Sequence, residues 1–208
     1  MAEDVPVRPS KRALDLGLAL VLLVPLLPMG LVLAGLLLVT QGRPLFYAAE
    51  RMKTPEIGFR LWKFRTMRPD PGDSGVTGSD KADRITPMGR LLRRTRLDEL
   101  PQLWNILRGD ISFVGPRPPL RLYVEAFPAL YARVLESRPG VTGLATLRFH
   151  KREEVLLAGC ATAEETDRVY RRRCVPVKAR LDLIYQKNAS VCFDLALIWE
   201  TARGVLKR

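Results

Sequence analysis

The sequence predicts an α+β protein in which an N-terminal re-entrant membrane helix (helix-break-helix) precedes a small mixed, mostly helical domain with short strands. Three observations predict it. Leu16 to Val39 runs about 24 residues without a charge, later apolar segments are short and alternating, and the regular strand-helix alternation of a doubly wound sheet is missing.

Composition sets the bounds. With 208 residues, 47% of them apolar, the chain holds one medium domain and an appendage, with material for a real core. Lys and Arg number 34 against 22 Asp and Glu, a formal net charge of +12. That balance points to anionic partners: nucleic acid, acidic headgroups or phosphorylated small molecules. Cys160, Cys174 and Cys192 are odd in number and lack CxxC spacing, which argues against a disulfide framework or a zinc site and fits a reducing cytosol.

Taken in order, the first element is the apolar stretch. At 1.5 Å per residue its roughly 24 residues could cross a hydrocarbon core of about 30 Å. It is too long for a cleavable signal peptide, and no small-x-small pattern follows it. Pro25 and Pro28 fall at its midpoint, each deleting a backbone donor and clashing with the carbonyl four residues back. Either half, near 18 Å of helix, could dip into a bilayer and return. Lys11 and Arg12 before it, and Arg43, Arg51 and Lys53 after it, favour keeping both ends on the cytoplasmic side. A kinked spanning helix is the alternative. Residues 1–41 are read as the membrane-embedded unit and 42–208 as a domain resting on the membrane, because no second stretch has spanning length.

Leu45–Ala48 and Phe59–Met67 carry the aromatic and alternating apolar positions of short strands. Pro69–Asp83 is rich in Pro, Gly, Ser and Asp and reads as a loop. A basic helix is expected over Arg84–Arg96 and a second over Glu99–Leu107, with Pro101 in its first turn and Gly109 as its stop. Ser137–Ala145 is turn-rich. A largely helical C-terminal part follows, with Leu195, Ile198, Trp199 and Val205 at amphipathic spacing.

Between the two central helices stand adjacent carboxylates, Asp98 and Glu99. At its simplest Asp98 is a helix cap and Glu99 a solvated first-turn residue. The neighbourhood suggests more: Arg90, Arg93, Arg94 and Arg96 come before the pair and Arg108 and Arg117 after it. An ionised carboxylate there lies where phosphates are also welcome. An anionic nucleophile attacks phosphorus only where cations offset the repulsion, and paired carboxylates are the residue types that hold Mg2+ beside substrate phosphates.

The motifs that carry a resemblance are K-R-x-x-D (Lys11, Arg12, Asp15), Gly42–Tyr47 (GRPLFY), Lys63–Met67 (KFRTM), Leu97–Gln102 (LDELPQ), Gly109–Pro118 (GDISFVGPRP) and Arg138–Ala145 (RPGVTGLA). In that order, from about Lys11 to Leu206, the chain resembles the monotopic phosphoglycosyl transferases, the bacterial sugar transferase family. The resemblance implies an enzyme with a cytoplasmic catalytic domain on the bacterial inner membrane. It implies transfer of a sugar-1-phosphate from a UDP-sugar to undecaprenyl or another polyprenyl phosphate, with release of UMP, at the start of lipid-linked glycan assembly. Asp98 matches the nucleophile that forms a covalent phospho-sugar intermediate with Mg2+ present, and is the expected metal ligand. Glu99 matches the partner that assists proton handling or positions metal and phosphate. Pro116, Arg117 and Pro118 match the segment that contacts the uridine nucleotide, and Pro28 matches the proline of the re-entrant break. Lys63, Arg65, Arg93 and Arg138 are the motif basics expected to grip phosphates.

The chain also departs from the family's pattern. Leu27 precedes Pro28 and Pro25 is an additional proline, Lys53 stands where glycine is common, and Thr146 replaces a usual Gln ahead of Leu147–His150. The last departure bears on sugar specificity. His150, the single histidine, is read as structural or surface. Membrane lipids are expected partners and nucleic acid is not, with a second copy of the chain as a further candidate. The rival reading is a non-enzymatic, membrane-anchored basic module for acidic lipid or nucleic acid, which leaves the Asp-Glu pair and the Gly-Pro-Arg-Pro segment unexplained.

Overall fold

In the computed structural model, which describes residues 5–70 and 79–206, the apolar stretch forms one helix, α1 (Pro9–Gln41). Its 33 residues are long and apolar enough to cross a membrane by length and composition. The expected interruption does not divide it. Pro25 and Pro28 lie inside the helix, three positions apart, so the two missing donors fall on one turn and orphan only the carbonyls of Val21 and Val24.

The K-R-x-x-D motif fastens the start of α1 to the domain. Lys11 Nζ donates to the Val114 carbonyl at 2.9 Å and pairs with Asp194 at 2.7 Å. Arg12 donates to the carbonyls of Ile106 and Leu107 at 2.7 and 2.8 Å. Asp15 Oδ1 accepts the Phe113 amide at 3.0 Å. The far end is fastened too: Leu37 is buried with Phe64 and Leu92, and Arg65 donates to the carbonyls of Gln41 and Gly42. Between these anchors Val21, Val24, Leu27, Leu31 and Val32 are exposed.

The two expected strands pair as an antiparallel hairpin, β1 (Phe46–Met52) and β2 (Gly58–Phe64), with Phe46 opposite Phe64 and Met52 opposite Gly58. β1 runs beyond the predicted Ala48, and β2 stops short of the predicted Met67. The loop expected over Pro69–Asp83 lies mostly outside the described residues; a 3-10 turn, Ser79–Arg84, closes it.

Helix α2 (Pro87–Thr95) follows, capped by Thr86 Oγ1 accepting from the Gly89 amide. A 3-10 turn, Leu97–Glu99, leads to α3 (Gln102–Arg108). The second central helix is therefore shorter than predicted. Pro101, lacking an amide proton, stands at its N-cap, and Gly109 at φ 84° ends it as expected.

Two three-residue strands, β3 (Ser112–Val114) and β4 (Gly140–Thr142), pair in parallel. β4 falls within the stretch read as turns. Gly115 and Gly140 are glycines because the two segments cross there at backbone contact, and a Cβ on either would overlap the other's main chain. Between them run α4 (Arg121–Ala126) and α5 (Pro128–Val134).

The C-terminal part is helical as predicted: α6 (Leu144–Ala158), α7 (Ala163–Val169), a π-helical turn at Tyr170–Cys174, α8 (Val175–Asn188) and α9 (Val191–Leu206). The largest core includes Tyr123, Val134, Phe149, Tyr170 and Val175. On α9 the buried apolar position is Leu197, while Leu195 and Trp199 face outward; the side chain of Val205 lies outside the described ones.

Asn105 ties α3 to β2. Buried on α3, it accepts the Trp62 amide and donates to the Arg60 carbonyl and to Asp110. Asn105→Leu leaves those backbone groups unpaired, and a loss of about 1–3 kcal/mol of stability is expected, read as a lower denaturation midpoint of the purified protein.

Candidate active site

A strained residue aims the carboxylate pair inward. Arg96, with φ 61°, is the one non-glycine residue in the left-handed region among those described. It ends α2 and opens the Leu97–Glu99 turn. Leu97 and Leu100, on either side of the pair, pack with Leu37, Phe64 and Leu92. The acids are thereby turned toward β2 and the segment after β3.

Glu99 is a hub. Its Oε1 receives Lys63 Nζ at 2.7 Å and Arg117 Nη2 at 3.1 Å, and lies 3.9 Å from Arg96 Nη1, with only 9% of the side chain exposed. Burial alone would push its carboxyl up; the charges of Lys63, Arg117 and Arg96 outweigh that and hold it well below the usual carboxylate range. Burial lowers Lys63, with Glu99 opposing, whereas the Glu99 charge raises Arg117. A carboxylate held ionised in this way is a poor proton carrier near neutral pH. It orders cations.

Asp98 differs from its neighbour. It is 7% exposed, and its Oδ1 is buried without a hydrogen-bond partner. Burial raises its carboxyl above the ordinary value, opposed chiefly by Lys63, while Glu99 adds to the rise and Arg93 and Arg96 work against it. The cap reading fails: Asp98 lies within the 3-10 turn, and neither that turn nor α3 has a side-chain cap. A buried, unpartnered carboxylate oxygen facing a cationic field is suited to attack an electrophile or to bind a cation.

Among the described residues no three His, Cys, Asp or Glu side chains gather to hold a metal. Glu99 Oε1 is taken up by Lys63 and Arg117, whereas Asp98 Oδ1 has no hydrogen-bond partner. Mg2+ fits such a site, being commonly held by one or two protein carboxylates while phosphates and water complete its shell.

The other expected residues divide. Arg93 donates to Thr66 Oγ1 at 2.9 Å and acts on Asp98 through its charge. Pro116 and Pro118 fix the backbone on either side of Arg117: the Pro116 carbonyl accepts the Gly140 amide at 2.8 Å, and Arg51 donates to that of Pro118 at 3.5 Å. Arg65 is spent on the carbonyls at the end of α1, and Arg138 donates to the Val5 carbonyl at 3.2 Å. Pro25 and Pro28 stand in the middle of α1.

A groove of about 910 Å³ opens beside Glu99. Leu22 and Leu26 of α1, Leu103, Phe113, Leu147 and Trp199 give it an apolar lining. Arg96, Gln102, His150 and Lys151 stand on its wall. In the sequence Arg96 reads only as one basic residue among several, and His150 as structural or surface. The signal for the latter was present in the departure at Thr146–His150, both ends of which line this groove.

Residues 7–208 match the family model described as bacterial sugar transferase. The chain is similar to the UDP-N-acetylgalactosamine-undecaprenyl-phosphate N-acetylgalactosaminephosphotransferase of Aeromonas hydrophila, at 32% identity over 94% of this chain and 43% of that protein. It is 36% identical to exopolysaccharide production protein PSS of Rhizobium leguminosarum bv. phaseoli, over 95% of this chain and 96% of that protein. It is 32% identical to a UDP-glucose:undecaprenyl-phosphate glucose-1-phosphate transferase of Caulobacter vibrioides, over 94% of this chain and 69% of that protein. The chain thus spans less than half the Aeromonas protein and nearly all of the Rhizobium one.

Glu99, with its depressed value, contributes stability that is complete above the ordinary glutamate pKa of about 4.3 and is lost as pH falls from there toward the folded-state value. Glu99→Gln is expected to cost on the order of 1–3 kcal/mol at pH 7, less than for a fully buried pair because Lys63 and Arg117 stay partly exposed. The gap between variant and wild type should narrow below about pH 4, measured by denaturation at a series of pH values.

Proposed function

Because the chain belongs to the bacterial sugar transferase family, we propose that it transfers a sugar-1-phosphate from a UDP-sugar to a polyprenyl phosphate such as undecaprenyl phosphate, through a covalent intermediate on Asp98. The observation that carries this reading is the contrast within the carboxylate pair: Glu99 is neutralised by Lys63 and Arg117, while Asp98 keeps a buried, unpartnered oxygen. The relatives are named for different sugars, so the proposal is for UDP-sugars as a class.

The chemistry balances in two displacements. An ionised Asp98 oxygen attacks the sugar-bearing phosphorus of the donor; the P–O bond to the nucleotide breaks, and UMP leaves with that electron pair. The acyl phosphate so formed is attacked at phosphorus by an oxygen of the lipid phosphate, and the Asp98 carboxylate leaves. Two anionic substrates thus react in turn and never meet directly. Arg117 and Lys63, oriented by Glu99, supply positive charge where the diphosphate would lie. Mg2+, held through Asp98 and the phosphates, would offset charge on the diphosphate.

The groove supports the acceptor half. An apolar channel that starts beside Glu99 and is walled by Leu22 and Leu26 of α1 suits an isoprenoid chain entering from lipid. The two anchored ends of α1 support the re-entrant reading, and the flanking Lys11, Arg12 and Arg43 favour a domain on the cytoplasmic face. Lys11, Arg12 and Asp15 at one end, and Gln41 and Gly42 at the other, bond to the same domain, an arrangement that favours both ends on one side of the bilayer. Its uncovered middle then meets acyl chains. A purely basic binding module gives no reason for the cations to converge on a buried carboxylate.

Incubation with UDP-sugar alone, quenched quickly, should add the mass of a phospho-sugar to the peptide containing Asp98, and UMP turnover should require polyprenyl phosphate and Mg2+. Asp98→Asn should abolish both; release of UMP by that variant at the wild-type rate would refute the assignment. Since burial raises the Asp98 carboxyl and the protonated acid is no nucleophile, labelling should fade on acidification.

The topology has its own test. Single cysteines at Ser10 and Arg43, in a Cys192→Ser background, should both resist an impermeant thiol reagent added outside intact cells and react in inverted vesicles. Labelling of one from outside would establish a spanning helix.

A further inference from the structure

The end of the groove nearest Glu99 contains polar groups that the two displacements above do not use. Gln102 is buried, 3% exposed, and lines the groove, yet its Nε2 has no hydrogen-bond partner. A buried amide donor left unpaired costs about 1–3 kcal/mol, a penalty that an anionic or polar ligand would relieve. Arg96 and His150 stand on the same wall, with Arg96 Nη2 and His150 Nε2 3.3 Å apart. A guanidinium only donates. The contact is therefore a hydrogen bond when Nε2 accepts and the ring proton sits on Nδ1. Glu154 Oε1 lies 3.2 Å from the same Nε2, and one nitrogen cannot accept from Arg96 and donate to Glu154 together.

We infer that this corner is the subsite for the acceptor's phosphate, with Gln102 Nε2 and Arg96 as its donors and His150 as the positioning residue that holds Arg96 there. The inference rests on the transferase reading and deepens it. Three features carry it: a buried donor with no partner, a guanidinium shared between Glu99 and His150, and an apolar groove leading away from both toward α1. The donor's phosphates fall to Lys63 and Arg117, which meet Glu99 but do not line the groove. Glu99, which both lines the groove and holds Lys63 and Arg117, then borders the two phosphate sites, with Asp98 next to it in the chain. The departure at His150 acquires a use in this chain: an imidazole on α6 steadies an arginine that approaches from a left-handed turn.

The test separates the two half-reactions in the full-length protein, with a short-chain polyprenyl phosphate as acceptor. His150→Ala, at a partly exposed position, and Gln102→Glu, which puts a carboxylate in nearly the same volume, should each raise the acceptor KM about tenfold or more. Mass labelling by UDP-sugar alone should stay within about twofold of wild type. His150→Gln, which again offers Arg96 an acceptor atom, should recover most of the acceptor KM; recovery of this kind is not expected if His150 merely packs. An unchanged acceptor KM in folded His150→Ala and Gln102→Glu, or a labelling rate that falls in place of it, would overturn the inference. Failure of the wild type to become labelled would instead overturn the transferase reading, so the two outcomes are distinct.

Discussion

Three cations from three separate parts of the chain converge on one carboxylate, and the site depends on that convergence. Lys63 comes from β2, Arg117 from the segment after β3, and Arg96 from the turn after α2. Each alone would be a mobile surface charge, worth little to stability and imprecise toward a ligand. Brought to Glu99 they become a fixed array whose mutual repulsion is offset by the acid between them. The neighbouring acid can then remain unpaired. Asp98 owes its availability to the fact that Glu99 has already satisfied the nearby cations.

This arrangement demands accurate placement of β2, α3 and the segment after β3, and the packing supplies it with few parts. Asn105 stitches α3 to the open edge of β2. The crossing at Gly115 and Gly140 locks the backbone beside Arg117 to β4 at a separation that no side chain permits. Asp15 holds Phe113, and Lys11 holds Val114, so β3 is pinned from the side of α1 as well. Helix α1 is in this sense a structural member of the site.

Much of this was legible in the sequence. The long apolar helix, the two short strands and the helical C-terminal part all read correctly, because each is a local pattern with a strong physical cause. What was not legible depends on contacts between distant residues. Arg65 and Arg138 resemble Lys63 and Arg117 as motif basics, and only the fold separates those that reach the Glu99 cluster from those that satisfy main-chain carbonyls at Gln41 and Val5. β4 is too short to show a period. The outward turn of Leu195 and Trp199 could not be read from spacing, since an amphipathic pattern does not say which cover, protein or lipid, its apolar face will find. His150 looked isolated because its partner, Arg96, lies far away along the chain.

One consequence follows from the double attachment of α1. A tether fixed at one point lets a domain rise, sink and swivel relative to its anchor, so the elevation of any reactive group over the acyl chains would fluctuate. Fastening at both Lys11–Asp15 and Gln41–Gly42 removes most of that freedom. Under the proposed re-entrant topology the folded chain itself would set the depth of Asp98, as a keel sets a hull's draught.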